Sequence, residues 1–152
     1  MLRTMGEDSP TPGWAIRRLY AGPSVEIWED IDAVVHIRRK GDFLLEDARK
    51  YAEVLEPYLS RDPLLVLADA REGGEESIEV RLTYYGMARK VRRARVAVLG
   101  EAYHRALLVA IHALAPQIEF EFFQEELEAL EWLLAPPGKP AEGASRWRLA
   151  RA

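Results

Sequence analysis

The spacing of apolar and polar positions changes along this chain, and each change marks an element. Three short runs rich in β-formers come first, Trp14 to Tyr20, Val25 to Glu29 and Ala33 to Arg38, with turns at Gly22-Pro23 and Asp30-Ile31-Asp32. They read as an antiparallel meander. Asp42 then stands where a helix cap belongs, and Leu44, Leu45, Ala48, Ala52, Leu55 and Leu59 follow at helical spacing until Arg61-Asp62-Pro63 stops the helix. The unbroken apolar run Leu64 to Ala68 has the length of a strand buried on both faces, and Asp69 to Gly74 reads as the turn after it.

A second helix is expected from about Glu75 to Lys90, acidic in its first turn and basic in its last, with Ile78, Leu82 and Tyr85 inward. Next come a buried strand at Ala94 to Leu99, an apolar helix at Glu101 to Leu114 and a strand at Ile118 to Phe122. A last helix runs from Glu125 to Leu134 with Leu127, Leu130 and Leu134 inward. The order is βββαβαβαβα. Strands separated by helices of this length imply right-handed crossovers and a parallel section, to which the meander adds antiparallel strands. The expected fold class is therefore α/β, a mixed sheet with about four helices.

Composition sharpens this picture in three places. At 152 residues, 49% apolar and 30% charged, the chain suits one domain, placed at 14–135. Residues 1–13 read as a disordered leader and 136–152 as a Pro-rich basic tail carrying Trp147. The absence of cysteine removes disulfides, thiolate metal sites and cysteine nucleophiles, and a leader without an apolar core points to the cytoplasm. No apolar stretch is long enough to span a bilayer. A net charge of −4 argues against a nucleic-acid partner.

Particular segments resemble a known family. They are Val66-Leu67-Ala68-Asp69-Ala70-Arg71, Arg95-Val96-Ala97-Val98-Leu99-Gly100, and the end of the chain's last strand leading into Ala129-Leu130-Glu131-Trp132-Leu133. Together with the element order they resemble the SpoIIAA-like fold of STAS domains, and the second half is similar to STAS/SEC14-type bacterial proteins of unassigned function. The resemblance spans roughly Val25 to Leu134. It implies a non-catalytic regulatory or protein-interaction module. In anti-sigma-factor antagonists of this fold, an Asp-Ser-Ser-Gly motif opening the second helix carries a phosphorylated serine. Here that stretch is Glu75-Glu76-Ser77-Ile78-Glu79, and Glu72, Glu75, Glu76 and Glu79 would repel a phosphate on Ser77.

Open α/β sheets bind ligands beyond the carboxyl ends of their parallel strands. That rule gathers Asp69, Arg71, Gly100, Glu101, Tyr103, His104 and Phe123 on one rim, and Asp69, Arg71, Ser77, Gly100, Tyr103 and His104 are the candidate binding residues. Asp69 and Arg71, two apart, suit a charge pair that either fixes the loop or meets a partner. His104 and His112 lie eight residues apart on one helix, roughly 12 Å along its axis, so they do not share a metal ion.

No Gly-x-Gly-x-x-Gly, Gly-Lys-Ser/Thr or Gly-x-Ser-x-Gly motif is present, so neither a cofactor nor an enzymatic activity is expected. The cations of Arg89-Lys90-Val91-Arg92-Arg93-Ala94-Arg95 complement a helix end or serve an acidic partner. The apolar third helix is either covered by core or offered to a second subunit, which makes a homodimer one possible partner state. The alternative function is a small-ligand or lipid carrier with a SEC14-like pocket beside that helix, lined by Tyr85, Tyr103, His104 and Phe123.

Overall fold

A computed structural model describes residues 16–100 and 105–136. The leader, and the tail beyond residue 136, lie outside the described residues. Six strands form one sheet in sequence order: β1 (Arg17–Ala21), β2 (Val25–Glu29), β3 (Val34–Phe43), β4 (Leu64–Glu76), β5 (Ala94–Leu99) and β6 (Ile118–Phe123). β1, β2 and β3 pair antiparallel, and β3 to β6 pair parallel. The expected mixed sheet is present, meander first.

Three helices make the crossovers of the parallel section: α1 (Leu45–Leu55), α2 (Ile78–Ala88) and α3 (Arg105–Leu114). Because the strands follow one another without reordering, right-handed crossovers carry all three helices to one face. Their buried residues join a single apolar cluster with Val25, Ile27, Val35, Ile37, Leu64, Val66, Val98 and Phe120. α4 (Glu126–Leu134) turns back over the opposite face and packs on β4, β5 and β6. There Val34, Leu67, Ala97, Leu99 and Phe123 meet Ala129, Trp132 and Leu133 in a second cluster.

Strand alternation sorts side chains between these faces. On β6, Ile118, Phe120 and Phe122 look toward α1–α3 while Phe123 looks toward α4.

Four local expectations need correction. Asp69 to Gly74 is not a turn. β4 continues through it to Glu76, because β3 also runs on to Phe43 and pairs with it at Lys40↔Glu72, Gly41↔Gly73 and Phe43↔Glu76. Asp42 belongs to that two-stranded arm, where its Oδ1 accepts from the Glu75 amide at 2.9 Å, and α1 starts at Leu45 after an N-cap, Leu44, that makes no side-chain cap bond.

In α2, Ile78 and Leu82 are exposed. Val80 and Ala88 are buried instead, with Tyr84, Tyr85 and Met87 packed beside them. In α4, Leu127 and Leu134 are exposed, and the inward residues are Ala129, Trp132 and Leu133, with Leu130 partly buried.

Several charged groups hold the frame. Asp47 on α1 is fully buried and accepts from the Ser24 amide (2.7 Å), the Ser24 hydroxyl (2.6 Å) and the Tyr20 hydroxyl (2.6 Å). This clasps the β1–β2 turn to the first helix. Arg95, buried beneath α4, lies 4.3 Å over the Trp132 ring and donates to the Ala135 carbonyl at 3.1 Å, placing a cation at the negative end of the helix. The basic run is largely partnered: Arg92 and Arg93 pair with Asp62, and Lys90 with Glu56.

Candidate functional site

Between the sheet and the crossover helices the apolar packing is incomplete. A cavity of about 160 Å³ lies there, floored by Val66, Ala68, Ala70, Val96, Val98 and Phe120 and roofed by Tyr51 and Leu55 of α1, Tyr84 and Met87 of α2, and Leu108 and Ile111 of α3. Ala68 and Val96 stand on central strands beneath the helices, yet neither is fully buried. The small alanines at 68 and 70 leave room that larger strand residues would fill. An apolar cavity of about 150 Å³ stays dry and accepts benzene. The volume here suits an occupant of that size and falls below what a diacyl lipid needs.

One end of the cavity is polar. Counting inward positions along β3, Val35 and Ile37 are followed by Arg39, which meets Glu76 at the end of β4 with Nη1 2.7 Å from Oε2, both side chains 7% exposed. Nη2 of Arg39 donates to the Gly41 carbonyl at 3.2 Å and the Gly74 carbonyl at 3.3 Å. Its Nε–H is buried without an acceptor among the described residues.

The Tyr84 hydroxyl donates to Glu76 Oε2 at 3.0 Å, and the Arg39 guanidinium lies 4.8 Å over Phe43. Phe43, Tyr51 and Tyr84 form an aromatic trio with centroids 5.9 to 6.1 Å apart. Burial pushes both tyrosine hydroxyls above their ordinary range, and the Glu76 charge adds to the effect, so both keep their protons. The elongated β3–β4 arm brings this cluster together. A buried ion pair costs desolvation that its geometry must offset, and here the carbonyls and Tyr84 supply the extra hydrogen bonds.

The rim expected from the sequence is only partly assembled. Arg71 grips Asp69 in a fork, with Nε to Oδ1 2.9 Å and Nη2 to Oδ2 2.8 Å, and its amide also donates to Oδ1 at 3.1 Å. Burial acts to raise the Asp69 pKa, but the Arg71 hydrogen bonds and charge, aided by Arg38, outweigh it and leave the carboxyl below its usual range. Gly100 packs beside Ala70, so it belongs with this pair.

Ser77 does not. It lies eight residues beyond Asp69, just past the far end of β4 and on the order of 25 Å away at an extended rise, where its Oγ caps α2 by accepting from the Val80 amide at 3.2 Å. Tyr103 and His104 lie outside the described residues. Asp69 and Arg71 border a groove of about 690 Å³ with Glu26, Arg38, Lys40 and Glu72. That groove is larger than the internal cavity, but its walls are mostly charged.

The lining proposed for a pocket beside the third helix also changes. Phe123 faces α4, on the far side of the sheet, and its place in the cavity is taken by Phe120; Tyr84 and Tyr51 line the cavity where Tyr85 was expected. Arg39 and Glu76 were not singled out from sequence. The available signal was a charged residue two positions after Ile37, at the inward parity that Val35, Ile37 and Phe43 keep apolar. The two described histidines, His36 and His112, are tied elsewhere. His36 Nε2 lies 2.7 Å from Asp30 Oδ2 and its ring stacks on Trp28, while His112 Nδ1 donates to the Ile118 carbonyl at 3.0 Å. Among the described residues no three His, Asp or Glu side chains cluster to hold a metal, and no helix is long and apolar enough to cross a membrane.

Comparison with known proteins agrees with this architecture. The SpoIIAA-like family model matches residues 34–134. A crystal structure of an uncharacterized protein from the DUF3478 family of Shewanella loihica PV-4, described as having a SpoIIAA-like fold, superposes with a TM-score of 0.55 at 23% identity, covering 75% of this chain and 98% of that one. No curated protein matches the chain.

Proposed function

This chain belongs to the SpoIIAA-like family, and we propose that it works as a non-catalytic binding module whose occupant is one small, largely apolar molecule held between the sheet and α1–α3. The observation that carries this reading is the cavity of about 160 Å³ above Ala68 and Val96, covered by three helices and polar only at the Arg39–Glu76 end. Apolar pockets with a few placed polar groups are the usual form of small-molecule sites. The volume favours a benzene-sized ligand over the acyl lipid of a SEC14-type carrier.

Native mass spectrometry of the protein isolated gently from its own cells tests this. One small-molecule adduct per chain is expected, absent from Ala68→Leu, whose added carbons occupy the cavity. Bare protein in both, or an adduct that survives the substitution, counts against the reading.

A protein partner, or a second copy of the chain, docking in the charged groove is the second reading. Its support is Arg71, exposed yet locked in position by Asp69, so that little side-chain entropy is lost on docking. The same spectra check it. A protein adduct or dimer that disappears on Arg71→Ala supports the groove, and one indifferent to that change argues against it.

A further inference from the structure

The outer side of α2 is apolar where a solvated helix carries polar groups. At about 100° per residue, Ile78, Leu82, Gly86 and the C-cap residue Arg89 fall within an arc of about 80°, opposite Val80, Tyr84 and Met87, which pack on the core. Ile78 is 61% exposed and Leu82 58%. We infer that this stripe is the contact of a two-fold symmetric dimer, in which α2 packs antiparallel against the α2 of a second copy of the chain. The inference does not depend on what the cavity holds.

Gly86 supplies the first argument. A glycine inside a helix weakens it relative to alanine, so a packing reason is expected. The chain's own packing offers none: a side chain at 86 would meet nothing within 4 Å among the described residues. Without a side chain, the outward surface has a notch that lets another helix approach closely. Leu82, one turn earlier on the same stripe, is a knob of suitable size to enter it.

Charge supplies the second argument. Glu79 and Arg89 border the stripe, and both are exposed without an ion pair among the described residues. Their neighbours do find partners, Arg81 reaching Glu76 at 3.9 Å and Lys90 reaching Glu56 at 3.5 Å. The helix macrodipole accounts for the signs of Glu79 and Arg89 but not for the apolar residues between them. Leu82 with Gly86, and Glu79 with Arg89, share one midpoint at the level of Tyr84. A single two-fold axis at that level therefore sets Leu82 over the partner's Gly86 and Glu79 level with the partner's Arg89, each contact occurring twice. This self-complementary order favours a second copy over an unrelated partner. An interface centred on one 11-residue helix per copy is small, so a dissociation constant on the order of tens of micromolar is expected.

The test is sedimentation velocity of the full chain from about 1 to 500 μM. A monomer–dimer equilibrium is expected. Gly86→Leu, which fills the notch and favours the helix, is expected to weaken association at least about tenfold without lowering the urea midpoint of the monomer. Glu79→Arg and Arg89→Glu are each expected to weaken it by about tenfold, because both symmetric pairs become like-charged. Combining the two reversals is expected to restore association to within severalfold of wild type. Gly86→Leu keeps the test decisive if a reversed charge disturbs a helix end. Arg71→Ala, in the charged groove, is expected to change nothing.

A monomer at every concentration overturns the inference. So does a dimer that none of the α2 substitutions weakens, or one that Arg71→Ala abolishes. A monomer that sediments with phosphatidylglycerol vesicles, and no longer does so as Leu82→Glu, assigns the stripe to a membrane surface and overturns the dimer as well.

Discussion

The two faces of the sheet are built from the same alternating strands, yet one is close-packed and the other is not. Under α4, Phe123 and Trp132 meet at 5.7 Å, Ala97, Ala129 and Trp132 have no exposed surface, and Arg95 closes the helix end. Under α1–α3 a cavity of about 160 Å³ interrupts the core. Close packing is the rule for protein interiors, so the departure from it points to use. The family's fold supplies the sheet; the small side chains at 68 and 70 leave the helix face its cavity, and the inward Arg39 gives that cavity a polar end.

The contrast can be broken most severely on the packed face. Trp132→Ala is expected to lower unfolding stability by about 3–5 kcal/mol, the usual cost of emptying a large buried aromatic site, as read from urea midpoints. Next comes the tie between the meander and α1. Asp47→Ala leaves the Ser24 amide and hydroxyl and the Tyr20 hydroxyl without their acceptor, and a loss of about 2–3 kcal/mol is expected by the same measurement. On the open face the result should be different in kind. Ala68→Leu adds volume where space already exists, so its stability is expected to stay within about 1 kcal/mol of wild type, against about 1–3 kcal/mol of damage from the same insertion at Ala97 under α4.

The smallest effects separate the faces by pH. The Tyr20 hydroxyl, donating to Asp47, is raised to about 12 from 10.0, and Tyr51 and Tyr84 are raised as well. Folding favours their neutral forms. The Tyr20 contribution on the helix face is therefore fully present below pH 10 and lost as pH rises through about 12, and Tyr51 and Tyr84 act in the same direction. Asp69, on the α4 side, is shifted the other way. Its contribution is present above the ordinary carboxyl value of 3.8 and is lost as pH falls through its lower folded pKa. Tyr20→Phe is expected to flatten the alkaline limb of a stability–pH curve and Asp69→Asn the acid limb, each leaving the opposite limb unchanged.

Much of the frame was legible in the sequence, because strands and crossover helices of ordinary length leave a clear change of period. Val25–Glu29 and Ala94–Leu99 fall where the pattern put them. The failures share a physical cause. α2 and α4 carry apolar residues on more than one side, so Ile78, Leu82, Leu127 and Leu134 offered a stripe as regular as the one the sheet selects. The segment from Asp69 to Glu76 is polar and contains two glycines, the signature of a turn. Only pairing with β3, a contact between distant parts of the chain, makes it a strand.

The site was hidden for the same reason. Arg39 and Glu76 are 37 positions apart, and the arm that joins them was the element the local pattern missed.

The most direct measurement is a crystal structure of the protein under xenon pressure. Xenon density is expected between Ala68, Val96, Leu108 and Ile111 in the wild type and not in Ala68→Leu, with none beneath α4 in either protein. A wild-type map with no xenon beneath the three crossover helices, or with ordered water filling that space, would contradict the claim that this face holds a small apolar ligand.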